Sequence, residues 1–253
     1  MKPRRIVYFF VEGSIGAGKY FQLFFARLTF PAGKSTLLER VRSRLLWRGL
    51  PGPLVVVPEP IDAWRDVDGH NVLEAFYNDP KRWALAFQTH AMSTRVAAVR
   101  AAIEEASADG VHATIVLCER SVYTDRHVFV ELLHRDGTLS DFERALYIRA
   151  YDYYISHAYP GKHGGVIYLR TDPRACAERI RRRDRTEESA IPLKYLERLH
   201  SMHQEALAAP DAWGGAALLN IDVEQLGSLP DDDAVADALA DRIHAFITDI
   251  VQE

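Results

Sequence analysis

The sequence predicts an α/β fold in which a five-stranded parallel sheet is covered by helices on both faces. Three observations carry that reading. Short apolar runs suited to buried strands, at residues 6–11, 54–57, 114–118, 165–169 and 216–221, alternate with longer segments of helical periodicity. The first run opens directly into a glycine-rich stretch ending in lysine, the arrangement that wraps a phosphate with backbone N–H groups. The second and third runs end in carboxylates, at the edge where open α/β sheets bind ligands.

Composition limits the alternatives. The 253 residues are 48% apolar, ample for the core of one domain spanning 1–253. A net charge of −4 points to no nucleic-acid or membrane surface, and no apolar run approaches the length of a membrane span. Two cysteines, Cys118 and Cys176, suit a reducing compartment without a disulfide framework. The first strand follows Met1-Lys2-Pro3-Arg4-Arg5 at once, leaving no room for a signal or transit peptide, so a cytoplasmic protein is expected.

The glycine-rich stretch reads Gly13-Ser14-Ile15-Gly16-Ala17-Gly18-Lys19, but Tyr20 stands where a serine or threonine should hold Mg²⁺. The missing end appears fifteen residues later as Ala32-Gly33-Lys34-Ser35-Thr36, running into the helical pattern of Leu37, Leu38, Val41 and Leu45. Neither copy is complete. Removing fifteen residues, one Ala-Gly-Lys copy together with the stretch between the two, leaves an unbroken phosphate-binding loop, so the sequence reads as one loop with an insertion at about 20–34. Two closures are open. Either Lys19 completes the first copy and the chain rejoins at Ser35, or it leaves after Gly16 or Ala17 and Lys34 becomes the phosphate lysine. The second is favoured because it keeps lysine, Mg²⁺ hydroxyl and the first N–H groups of the helix contiguous. Closing such an excursion costs about 2.4 kcal/mol, which a domain of this size tolerates.

After the second strand, Pro58-Glu59-Pro60 holds a carboxylate on a stiff backbone, a position suited to a catalytic base. A long helix over roughly 81–106 places Gln88, Ala91 and Arg95 on one face, where they could hydrogen-bond a flat polar ring. The third strand ends in Glu119-Arg120-Ser121, and a carboxylate there is suited to Mg²⁺. A helix begun by Pro173 runs into five arginines within residues 179–185, which read as a movable lid (179–190) closing over transferring phosphates.

These residues resemble the deoxyribonucleoside kinases, the family that includes deoxycytidine, deoxyguanosine and mitochondrial thymidine kinases. The matching stretches are VEGSIGAGK with STLLERV, VPEP with Trp64, NVLEAFYNDPKRW, FQTHAMSTR, CERSVYTDRHVF and the lid with RTEESAIPLKYLERLH. The resemblance implies a P-loop kinase fold, usually dimeric, that moves the γ-phosphate of ATP to the 5′-hydroxyl of a deoxynucleoside. It also implies residue roles. Glu59 resembles the base that accepts the 5′-hydroxyl proton, Arg120 the residue that positions it, and Glu119 with Ser35 a partner of Mg²⁺. Tyr77 and Glu188 match the binders of the sugar 3′-hydroxyl, Gln88 pairs with the base edge, and Trp64, Phe87 and Phe129 pack around the ring. Arg179, Arg183 and Arg185 match lid positions that meet phosphates, while Arg95 and Asp125 resemble the charged pair of the deoxycytidine and deoxyguanosine kinases.

The expectation is therefore an ATP-dependent deoxynucleoside kinase of nucleotide salvage, a homodimer favouring deoxycytidine or purine deoxynucleosides over thymidine. A catalytically silent nucleoside-binding homologue is the rival that the insertion favours. A nucleoside monophosphate kinase is a third reading, but it would need further cations around the acceptor phosphate.

Overall fold

A computed structural model describes residues 5–15, 37–106, 113–158, 161–183, 191–226 and 233–252. The insertion and both Ala-Gly-Lys copies lie outside these residues, as do the later part of the lid, Arg185 and Glu188.

The predicted parallel sheet is present, with five strands in the order β2-β3-β1-β4-β5. The strands are β1 (Arg5–Glu12), β2 (Leu54–Val57), β3 (Ala113–Glu119), β4 (Lys162–Arg170) and β5 (Ala217–Asp222). Central β1 is apolar on both faces because helices cover both. Tyr8 and Phe10 enter one hydrophobic cluster, while Val7, Phe9 and Val11 enter the other. Strand β3 repeats the alternation, with Val116 and Cys118 on the first side and Ile115 and Leu117 on the second.

The second side is closed by α1 (Leu37–Arg48) and the C-terminal helix, which is numbered α10 (Asp233–Gln252) in chain order. Glycine lets α10 come close to β4: a Cβ on Gly165 would lie 2.4 Å from the Phe246 ring. The first side carries most of the remaining helices. Between β2 and β3 come α2 (Ile61–Arg65), α3 (Val72–Asn78) and α4 (Pro80–Ala106). After β3 come a single turn α5 (Val122–Thr124), a π-helical stretch (Asp125–Val130), α6 (Glu131–Arg135) and α7 (Asp141–Ala158). Helices α8 (Pro173–Arg183) and α9 (Leu193–Ala208) connect β4 towards β5.

The long helix starts at Pro80, which supplies a fixed φ and needs no helical N–H partner. Its buried stripe, Ala84, Phe87, Gln88, Ala91, Met92, Arg95, Val96 and Val99, follows helical spacing but includes a glutamine and an arginine. The order in which strands are added switches sides at β1, since β2 and β3 lie to one side and β4 and β5 to the other. The carboxyl ends of β1, β2 and β3 therefore border one crevice.

Candidate active site

Each strand end contributes differently to that crevice. At the end of β1, Gly13 adopts φ +152°, a conformation that side chains rarely allow, and Ser14 is buried. Ile15 then packs against Cys176, Ile180 and Leu196, so the start of the glycine-rich loop is anchored on the base of the lid. At the end of β2, Glu59 lies between its two prolines, with its backbone N–H donating to Glu119 Oε2 at 3.3 Å. At the end of β3, Arg120 takes φ +60°, the left-handed region that non-glycine residues avoid. Two bonds hold this turn in place. The Arg120 N–H donates to the Val11 carbonyl at 3.0 Å, and the Ser121 hydroxyl donates to Glu12 Oε1 at 2.6 Å. The same hydroxyl accepts from the Thr124 N–H at 3.2 Å, capping the turn that leads to Asp125 and Phe129.

Four predicted residues from separate parts of the chain meet in one buried ionic network. Arg95 donates from Nε to Asp125 Oδ2 at 3.0 Å and from Nη2 to Asp125 Oδ1 at 3.3 Å. Its Nη2 also reaches Glu59 Oε1 at 3.0 Å, and its Nη1 the Glu119 carbonyl at 3.0 Å. Arg120 Nε approaches the same Glu59 oxygen at 3.2 Å, with its guanidinium 4.9 Å from the Phe129 ring centre. Burial alone would favour a neutral Arg95, but Asp125 and Glu59 outweigh it and raise the guanidinium above its already high value. Burial likewise holds the Asp125 carboxyl above its ordinary value, and Arg95, with two donors in contact with it, opposes that rise.

An aromatic wall stands beside the network. Trp64 meets Phe87 edge-on at 5.5 Å, Phe87 stacks on Phe76 at 4.8 Å, and Tyr77 follows Phe76 at 5.3 Å. Trp64 Nε1 donates to Thr94 Oγ1 at 2.9 Å, which fixes the indole beneath the Arg95 guanidinium. Gln88 and Ala91 lie on the buried face of α4, two turns and one turn before Arg95 respectively. Among the described residues, the buried polar atoms without a hydrogen-bond partner include Ser14 Oγ, Arg120 Nη1 and Arg179 Nη1. Such groups are costly unless something pairs with them, and all three can donate. Arg183 closes α8, with its side chain outside the described residues.

The sequence reading missed three parts of this arrangement: the Glu12–Ser121 strut, the Thr94–Trp64 bond and the grip of Arg95 on Glu59. Ser121 carried a usable signal, a serine three residues before Thr124 at the start of a helical turn. The other two depend on residues far apart in the chain.

The deoxynucleoside kinase family model matches residues 29–248. The chain belongs to the deoxynucleoside kinase family. It is 31% identical over 245 residues to deoxycytidine kinase 2 of Gallus gallus, covering 86% of this chain and 87% of that one. It is 30% identical over 219 residues to a probable deoxycytidine kinase of Fowlpox virus, covering 87% and 85%. It is 34% identical over 176 residues to the mitochondrial thymidine kinase 2 of Macaca fascicularis, covering 70% and 60%. The match begins inside the insertion, so it takes in the second Ala-Gly-Lys copy and leaves the first, with β1, before it.

Proposed function

We propose that this protein transfers the γ-phosphate of ATP to the 5′-hydroxyl of a deoxyribonucleoside. The observation that carries the reading is Glu59, a carboxylate held by two guanidinium groups at the edge of an aromatic wall, with uncompensated donors around the crevice. A hydroxyl placed against Glu59 loses its proton as it attacks, and Arg120 and Arg179 supply donors to the charge on the transferring phosphoryl group. Tyr77 and Glu188 select the sugar, Gln88 pairs with the base edge, and Trp64, Phe87 and Phe129 enclose the ring. The lid, residues 179–190, adds Arg183 and Arg185 over the phosphates within a single kinase domain.

Glu119 and Ser35 would hold Mg²⁺, which supplies charge neutralisation on the phosphates. Among the described residues no three ligating side chains converge, which suits an ion that keeps most of its waters and leans on substrate oxygens. Lys34 is the phosphate lysine in this reading, and the span of the family match supports that choice. Arg95 and Asp125 occupy the space a thymine methyl needs, so deoxycytidine or a purine deoxynucleoside is favoured over thymidine. The exposed Phe142, Leu146 and Tyr153 of α7 support a homodimer, and light scattering of Phe142→Asp against the parent tests it. The two buried free cysteines suit the cytoplasm, which cell fractionation checks.

A coupled assay with the four deoxynucleosides and their monophosphates tests the activity. Transfer to a monophosphate alone would replace this reading with the monophosphate kinase, and a higher kcat/KM for thymidine than for the other three would overturn the base preference. The insertion favours a second reading, a silent nucleoside-binding homologue. ATP affinity and turnover of the full chain, a deletion of residues 20–34, Lys19→Ala and Lys34→Ala separate the two. Weak ATP binding restored by the deletion is expected. Equal activity with and without the segment refutes damage by the insertion, and loss with Lys19→Ala alone reverses the choice of lysine.

A further inference from the structure

We propose that Arg95 is a positioning residue for the general base Glu59, so that the Arg95–Asp125 pair affects the rate of phosphoryl transfer as well as the choice of base. The inference rests on the kinase reading above. A guanidinium is a rigid plane whose donors cannot be redirected independently, and here that plane is held from three directions. Asp125 takes Nε and Nη2, the Glu119 carbonyl takes Nη1, and the Trp64 ring centre lies 5.6 Å away. Its contact with Glu59 at 3.0 Å therefore comes from a group with almost no freedom to move.

Arg120 is braced differently. It approaches the same Glu59 oxygen at 3.2 Å from a residue in the left-handed region, and its Nη1 has no hydrogen-bond partner. With both guanidiniums present, two donors at one oxygen set the plane of the carboxylate. Without Arg95, the part-buried Glu59 and the buried Asp125 lose the cation between them, and Glu59 loses the more rigid of its two guanidinium contacts. Gln88 and Ala91 share the buried face of α4 with Arg95. A base pressing on that face or on Asp125 thus acts on Glu59 through one rigid group with no flexible joint between.

The test is a double-mutant cycle on the full chain, reading the single-turnover rate with deoxycytidine at saturating ATP and nucleoside affinity by tryptophan fluorescence. Arg95→Met is expected to slow the chemical step on the order of 10²-fold, the scale of a small misplacement of a reacting group, with a smaller change in nucleoside affinity. In the Glu59→Gln background the same substitution should change the rate by less than about threefold, because the group it positions is gone. Methylguanidine should restore part of the rate of Arg95→Ala only where Glu59 is present. Arg95→Lys keeps the cation without the fork and should show the same background dependence in weaker form, covering the case in which the methionine variant fails to fold. Equal slowing in both backgrounds, or a loss confined to affinity, overturns the proposal while leaving the kinase reading standing. A parent chain that phosphorylates no deoxynucleoside sinks the kinase reading and this inference with it.

Discussion

Replacing Glu59 with glutamine separates the chemistry from the architecture. The amide has nearly the shape of the carboxylate and can turn its oxygen towards Arg95 and Arg120, whose donors lie 3.0 and 3.2 Å from Oε1. Both contacts then become bonds to a neutral acceptor. Each loses about 1 kcal/mol of its charge-assisted strength, so the folded state should lose about 2 kcal/mol and remain folded. The cost to catalysis is larger and different in kind. With its oxygen held by the arginines, the amide presents N–H towards a substrate hydroxyl that needs an acceptor, and no proton can be taken up. Turnover should fall by roughly 10²-fold or more, the range for loss of a general base, while nucleoside affinity changes only a few-fold. Single-turnover transfer from labelled ATP gives the first quantity, and tryptophan fluorescence titration gives the second. Turnover within threefold of the parent would remove Glu59 from the mechanism.

Three other perturbations follow from contacts already described. Ser121→Ala removes a helix cap and the donor at 2.6 Å to the buried Glu12, and should cost about 2–3 kcal/mol in urea unfolding; a loss under 0.5 kcal/mol would show that the strut carries no load. Gly165→Ala would set a methyl 2.4 Å from the Phe246 ring and should destabilise by about 1–3 kcal/mol, a loss that Phe246→Ala in the same chain should partly relieve. Burial, and then Arg126, hold His127 down at about 4 from an ordinary 6.5, and burial also lowers His163. The unfolded chain therefore binds more protons in that window, so stability is fully present above about pH 6.5 and falls as the pH drops towards 4. His127→Phe should move the acid-unfolding midpoint to lower pH, and an unchanged midpoint would mean that His127 does not contribute.

The sheet was legible because strands buried on both faces must be apolar at every position, and sequences such as Ile6 to Val11 have few other uses. The same logic carried β5 although much of it is exposed, since Ile221 and the helix after it still needed a cover. Helices α2 and α3 and the stretch from Val122 to Arg135 were not legible. Five or seven residues make too few turns to establish a period, and a π-helical stretch departs from helical spacing altogether. Glu59 and Glu119 could be picked out because each ends a strand, where the chain direction alone fixes the side of the sheet they occupy. The contact between Arg95 and Glu59 could not, since it requires α4 to cross the end of β2 at one height and rotation. Spacing within α4 says which residues share a face, and nothing about what that face meets.

The interrupted loop can be weighed by what secures its two ends. Before it, β1 is paired along its length with β3 on one side and β4 on the other, and Ile15 is already packed against the base of the lid. After it, α1 is tied to α10 by Arg44 and Arg48, which contact Asp237 and Asp241, and by Leu45 in the second hydrophobic cluster. None of these contacts runs through residues 16–36. Strand and helix are each held by contacts among the described residues. The insertion is therefore expected to act on whether a lysine, a hydroxyl and a row of N–H groups assemble at the end of β1. Deleting residues 20–34 should then change ATP affinity while leaving deoxynucleoside affinity almost untouched, and a large change in the latter would mean that the insertion reaches the nucleoside side of the crevice.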